Sequence, residues 1–458
     1  MLPSRTVLRG LNAALLALVA CPLLVSGAEA ASLYDALSMA YSTNPTLEAA
    51  RAQLRATDEG VPQALSEWRP TLSGEVQAGH EWNDVRRPLA QNEETNPRSY
   101  GVTLSQPVFD GFHTVAGTSQ AENLVKAGRA QLTSTEQAVL TDAVAAYMNV
   151  VRDTAVLDLN RNNEKVLQAQ LEATQARFEV GELTRTDVAQ SQASLQGAIA
   201  ARIQAEGQLT ASQTIYRQVI GDDPVDVKMP TETPTLPANR DETVALSRAT
   251  PDVRAAEFQE RAAKDDIDVQ FSDMLPSVSI EGSYTRRDDV ASRDSQSDIG
   301  IVTGQVTIPL YQAGAPDSRV RQSKQRYMQA RRLTDQALRT AEQQAVNAWT
   351  ALQTVIAQAR SFEEQVRANQ IALDGVRQEQ EVGARTILDV LDAQQALLTS
   401  QVNLVQTQTQ RVIAQFQLLA SGGGLTAQNL DLKVEYYDPG KHYDKVRNKF
   451  IGTGPAVE

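Results

Sequence analysis

Val382-Gly383-Ala384-Arg385-Thr386-Ile387-Leu388-Asp389-Val390-Leu391-Asp392-Ala393 is the stretch on which the reading of this chain turns. It interrupts a long run rich in alanine and glutamine and free of proline. A glycine at such a point can take the left-handed conformation that ends one helix. Thr386 and Asp389 then form a T-x-x-D capping box that starts the next. The same layout stands at Gly181, Thr184 and Asp187. Each stretch is therefore expected to be a helical hairpin, with tip turns at Gly181 and Gly383.

The match between the two tips extends outward. Pro45 and Pro251, Pro70 and Pro276, Pro107 and Pro309, and Tyr147 and Trp349 all recur about two hundred residues apart. A period that long is a duplicated domain-sized unit, not a solenoid of short modules. Each unit lays out a helix, two strands and a very long helical stretch. Residues 1–30 precede the first repeat, 31–220. An irregular linker, 221–240, holds Pro224, Pro230, Pro234 and Pro237. The second repeat is 241–420, and 421–458 is read as an irregular tail without strong periodicity.

No proline interrupts Phe112 to Phe178. A helix of that length is about 100 Å long, more than a single globular core can hold. Leu140, Val144, Tyr147 and Val151 step by four and three, as do Val405, Thr409, Val412, Phe416 and Leu419. Such spacing indicates coiled-coil packing against neighbouring helices.

The segments after Pro70 and Pro276 change period. Leu72, Gly74, Val76 and Ala78 alternate with Ser73, Glu75 and Gln77, and Tyr100, Val102 and Leu104 alternate with Gly101 and Thr103. Val278, Ile280, Gly282 and Tyr284 repeat the pattern, as do Val302, Gly304, Val306 and Ile308. A period of two marks strands, giving hairpins at about 71–106 and 277–308, with Pro107 and Pro309 placed to close them. Alternating strands near ten residues long are a signature of a membrane β-barrel wall, but also fit a soluble hairpin on a helix layer. Four strands cannot close a barrel, so the membrane reading demands an oligomer.

The first thirty residues read as an export signal. Arg5 and Arg9 supply the basic start, Leu11 to Val25 the apolar core, and Ala28-Glu29-Ala30 a cleavage site. Cys21, the only cysteine, also resembles a lipoprotein cleavage position, so lipidation and removal with the signal both stay open. If it is removed, stability rests on packing alone. The net charge of −13 argues against nucleic-acid binding. His80, His113 and His442 are scattered and no catalytic motif appears, so no enzyme activity, cofactor or metal is expected.

Together these residues resemble the TolC-type outer-membrane channels of Gram-negative efflux and type I secretion systems. The resemblance covers about 31 to 430. It rests on Leu33-Tyr34-Asp35-Ala36-Leu37 followed by Asn44-Pro45, on the two proline-bounded hairpins, and most specifically on Val382 to Ala393. It implies an α+β membrane protein: a homotrimer whose four strands per chain join in one twelve-stranded outer-membrane β-barrel. A long antiparallel α-helical coiled-coil barrel would continue it through the periplasm. The implied work is that of an exit duct for type I secretion, multidrug efflux or both. Its partners would be a periplasmic adaptor, an inner-membrane ABC or RND transporter and outer-membrane lipid.

The resemblance also implies a periplasmic gate. Asp389 and Asp392 match positions that form acidic rings, Arg385 a basic residue that ties the closed tip, and Asp187 its acidic partner. A tyrosine of the family pattern is replaced here by Gln380, which puts one strut of the closed state in doubt. Asp389 and Asp392 lie three apart on one helix face, so in a trimer their carboxylates would repel, raise each other's pKa and attract cations. Capping alone would also account for Asp389 and Asp187, and solvation at the tip for Arg385. A periplasmic adaptor and a soluble coiled-coil protein are the rival readings. An adaptor usually carries one helical hairpin, whereas two full copies stand here.

Overall fold

The computed structural model describes residues 32–83, 93–290 and 292–454. The export signal with Cys21, and most of the first strand-connecting loop, lie outside the described residues.

The chain opens with α1 (Leu33–Thr43), α2 (Pro45–Asp58) and α3 (Gly60–Ser66). The α1–α2 break is local chemistry. The Asn44 side chain accepts from the Thr46 amide, and Pro45 occupies the first helical position, where no amide hydrogen is needed. Strands β1 (Thr71–Ala78), β2 (Glu81–Asn83), β3 (Glu93–Thr95) and β4 (Arg98–Phe109) follow, then α4 (His113–Glu179) and α5 (Arg185–Ile220). After the proline-rich segment come α6 (Arg240–Ser247), α7 (Pro251–Ser272), β5 (Ser277–Asp288) and β6 (Gln296–Thr307). The chain ends with α8 (Ala315–Glu381), α9 (Ile387–Ser421) and α10 (Pro439–Val446).

Helices α4 and α8 are each 67 residues long, about 100 Å at the α-helical rise. No helix among the described residues is apolar enough to cross a membrane. Each long helix turns back at its tip, α4 onto α5 and α8 onto α9, while α7 lies beside both α4 and α8. Leu140, Val144, Tyr147 and Val151 form one buried stripe of α4. The largest core lies far from the tips, where α1, α4, the end of α5 and the end of α9 meet. Leu37, Tyr147, Tyr216 and Phe416 are buried there, each side chain contributing about 1.5–3 kcal/mol of burial.

Strands β1, β4, β5 and β6 form one antiparallel sheet in the order β1-β4-β5-β6, and β2 pairs with β3. Two sequence expectations are corrected here. Pro107 does not close its strand: β4 runs on to Phe109, and the pairing with β5 slips in a bulge between Pro107 and Phe109. A bulge tolerates the missing amide hydrogen of proline. Nor is the tail irregular throughout. It contains α10, and Leu425, Ala427, Leu430 and Leu432 are buried in the main core.

Candidate functional site

Two regions carry the chemistry, the sheet at one end and the helical tips at the other. In the sheet, directly opposed residues share a face, so the register decides which side chains stand together. Leu72 opposes Leu104, Val76 opposes Tyr100, and Val102 opposes Tyr284. Gly282 opposes Val302, and Val278 opposes Val306. One face is thus apolar across all four strands. Its other side presents Ser73, Glu75, Thr103, Glu281, Ser283 and Thr303, with Ile299 and Ile301 as the apolar exceptions. The apolar face is bare in the single chain: Val76 is 75% exposed and Val302 83%. Charge gathers at one end of that face, where Arg286 opposes Asp298 and Asp288 opposes Gln296.

At the other end both glycine turns have the same hydrogen-bond plan. Gly181 has φ 82° and Gly383 φ 78°. Gly181 N–H donates to Phe178 O and Glu182 N–H to Arg177 O; Gly383 N–H donates to Gln380 O and Ala384 N–H to Glu379 O. This pair of bonds is a Schellman motif, which satisfies the last carbonyls of α4 and α8. The returning helices start on reciprocal caps. Asp187 Oδ2 accepts from Thr184 N–H at 2.9 Å and from its hydroxyl at 2.8 Å. Asp389 Oδ2 accepts from Thr386 N–H and hydroxyl at the same two distances.

Those bonds hold both carboxyls below the usual carboxylate range. For Asp187 the Thr184 amide and hydroxyl are the causes. For Asp389 they are the Thr386 amide and hydroxyl, with Arg385 adding a smaller attraction. Within one chain the Asp389 pKa therefore moves opposite to the rise expected from neighbouring carboxylates. Asp392 sits past the first turn of α9, exposed, and makes no capping bond.

Arg385 does not meet Asp187 within the chain. Its guanidinium binds Glu379 at 2.9 Å across the turn and approaches Asp389 at 3.9 Å. Glu379, before Asp389, raises the Arg385 pKa. The first tip has a staple of opposite polarity, Arg177 to Glu182 at 3.0 Å. Sequence reasoning missed both staples. The signal was present: opposite charges bracket each tip glycine, and a Schellman turn folds such residues together.

Ile387 and Leu391 bring the second tip onto the first. They are buried with Leu167 and Leu171 of α4 and Leu195 of α5. Gln394 adds a weak amide contact to Asn163 at 3.4 Å and accepts from Arg377 at 2.9 Å. Beside this plug a groove of about 820 Å³ opens between α4, α5 and α9, lined in part by Asp392 and by polar Asn160, Gln204 and Gln395.

The outer membrane efflux protein family model matches residues 36–222 and 245–424, which hold both long hairpins and the whole four-stranded sheet. The chain belongs to the outer membrane efflux protein family. Among curated relatives, the outer membrane efflux protein BepC of Brucella suis is 34% identical over 95% of this chain and 96% of its own. Outer membrane protein TolC of Vibrio cholerae is 26% identical over 89% and 94%. The solved CmeC outer membrane channel of Campylobacter jejuni superposes with a TM-score of 0.79 at 16% identity, covering 91% of this chain and 89% of that one. The channel thus has the TolC-like fold and lies in the outer membrane with a periplasmic helical tunnel. It is an exit duct of the kind used in efflux and type I secretion, and the adaptor reading is set aside.

Proposed function

We propose that three copies of this chain close a twelve-stranded barrel in the outer membrane, and that their hairpins form one tunnel gated at the tips. The single observation behind this is the four-stranded sheet with a bare apolar face and two free edges. Among the described residues, strands β1 and β6 each have one partner and lie at opposite edges. The sheet is antiparallel throughout, so β6 of one copy runs opposite to β1 of the next and can continue the ladder. Closure would satisfy both edges and turn the apolar face to lipid. The two 67-residue helices with matched tips support two structural repeats per chain, each giving one hairpin to the tunnel wall.

Asp389 and Asp392 then form acidic rings near the threefold axis, and Arg385 ties a closed tip to Asp187 of a neighbouring copy. In the open state Arg385 falls back on Glu379. A periplasmic adaptor and an inner-membrane transporter, ABC or RND, would dock on the tunnel and open it. The role is transport, not catalysis.

Planar-bilayer recording of the purified trimer tests this reading. Small, cation-preferring steps are expected. Asp389→Ala with Asp392→Ala should weaken block by divalent cations, and Arg385→Ser should raise conductance. Unchanged block would remove the rings, and unchanged conductance would place the tie elsewhere. Folded protein that never conducts would remove the channel.

A further inference from the structure

Away from tips and sheet, a cavity of about 710 Å³ lies where α2, α4, α7 and the end of α9 meet the tail. That is the size of pockets that take drug-sized molecules. Its wall has an apolar side, including Leu132, Leu246, Phe258 and Leu419, and it also holds Arg51, Lys126, Arg129 and Arg254. The chain as a whole carries a net charge of −13. Four cations on one cavity run against that balance.

The state of those cations is informative. Arg51 is spoken for: it binds Glu48 at 2.5 Å and donates to Tyr41 O at 3.2 Å. Lys126, Arg129 and Arg254 have no side-chain hydrogen bond or ion pair among the described residues. Arg129 stacks on the Tyr443 ring at 5.2 Å, which leaves its Nε buried without an acceptor. Nearby Asp58 feels the Arg129 charge; its Oδ2 is held by His442 at 3.1 Å, while its Oδ1 is buried without a hydrogen-bond partner, and it makes no hydrogen bond or ion pair to Arg129. The one carboxylate in the cavity wall among the described residues, Glu136, accepts from Ala427 N–H at 2.7 Å. The buried Arg129 Nε without an acceptor is costly, and with the exposed Lys126 and Arg254 it gives one apolar space a positive rim that suits an anion with an apolar body.

We infer that this cavity binds an amphipathic organic anion, with a phosphate, sulfonate or carboxylate head between Arg129, Lys126 and Arg254. Its apolar part lies against Phe258, Leu246 and Leu419. The site shares no lining residue with the tip turns or the sheet. Because it joins α2 and α4 from the first half to α7, α9 and the tail, an occupant ties the two halves together.

Isothermal titration of the full-length trimer in nanodiscs with 1-naphthyl phosphate tests this, with 1-naphthaleneethanol as the neutral counterpart. The phosphate should bind, more weakly at high salt, and the neutral compound should bind at least tenfold less well. Arg254→Gln, at an exposed position, should weaken the phosphate about tenfold, as loss of one charge-assisted bond does. Arg129→Gln should weaken it at least as much, and Arg129→Lys should restore part of the loss. Native mass spectrometry follows the trimer in each variant. No heat from the phosphate, equal binding of the neutral compound, or unchanged affinity in both Gln variants would overturn the proposal. So would dissociation of the trimer in the Gln variants without phosphate binding in the parent, because a neighbouring copy would then be what answers these cations.

Discussion

Gly383→Ala separates what the tip turn needs from what the rest of the fold needs. Gly383 has φ +78°, and a Cβ built there meets nothing within 4 Å. The substitution therefore costs backbone strain alone, about 1–2 kcal/mol for a non-glycine residue in the left-handed region. The tip lies at the far end of a 67-residue helix, about 100 Å from the sheet, so the strain should stay local. It should raise the population of open tip by about 5- to 30-fold. Hydrogen exchange of the Gly383 and Ala384 amides, which donate to Gln380 O and Glu379 O, reads that population. The melting temperature of the protein should stay where it was. Gly111→Ala provides the contrast. There φ is +67°, and the added Cβ would stand 2.8 Å from Ser272 O and 2.9 Å from Leu275 Cβ. The backbone at the sheet–helix junction must then move, and the melting temperature should fall. If Gly383→Ala left tip exchange unchanged, or lowered melting as much as Gly111→Ala, the Schellman account of the tip would be refuted.

Two further outcomes are expected. Val302→Arg places a charge on the apolar face and should cost the assembled barrel about 2–4 kcal/mol if it reaches mid-bilayer; Thr303→Arg, on the opposite face, should cost far less. Urea unfolding in lipid vesicles measures both, and equal losses would mean the faces are assigned wrongly. Tip protection should also depend on pH. Asp187 and Asp389 have folded pKa values below their unfolded ones. Their stabilisation is therefore complete above the unfolded carboxylate value of about 3.9 and is lost as pH falls through the lowered folded value. Exchange at the tips, corrected for intrinsic rate, should be flat from about pH 7 to 5 and rise below about 4; Asp389→Asn should weaken that dependence at the second tip. A rise beginning near neutrality would instead point to carboxylates raising one another across the rings.

Much of this was legible in the sequence because it was written in local periods. The four-and-three steps through Leu140 and Tyr147 gave the buried stripe of α4, and alternation from Leu72, Tyr100, Val278 and Val302 gave one face of the sheet. What was not legible depends on residues meeting from far apart or across a bend. Pro107 looked like a strand end because proline lacks a donor, and only the bulge with β5 lets the strand continue. Leu425 and Leu432 show no period, since a segment packed by the shape of its surroundings needs none. Glu379 and Arg385 are brought together by the turn between them. Lys126, Arg129 and Arg254 share one cavity only after α7 has packed on α4.

The two ends of the chain also differ in what they leave unfinished. Each tip closes its hydrogen bonds within one chain: the Schellman bonds at Gly181 and Gly383, the caps at Asp187 and Asp389, and a staple of opposite charges. The sheet does the reverse, with two free edges and a bare apolar face. A trimer held mainly at its tips would have to come apart whenever they separate. A trimer held at the barrel would not, because sheet closure supplies ladder bonds and burial that the tips do not need. Movement between copies would then leave intact each chain's own tip bonds and the packing of Ile387 and Leu391 on Leu167, Leu171 and Leu195. If three copies close the barrel as proposed, that division would let the assembly be both a sealed membrane barrel and a tunnel whose far end opens.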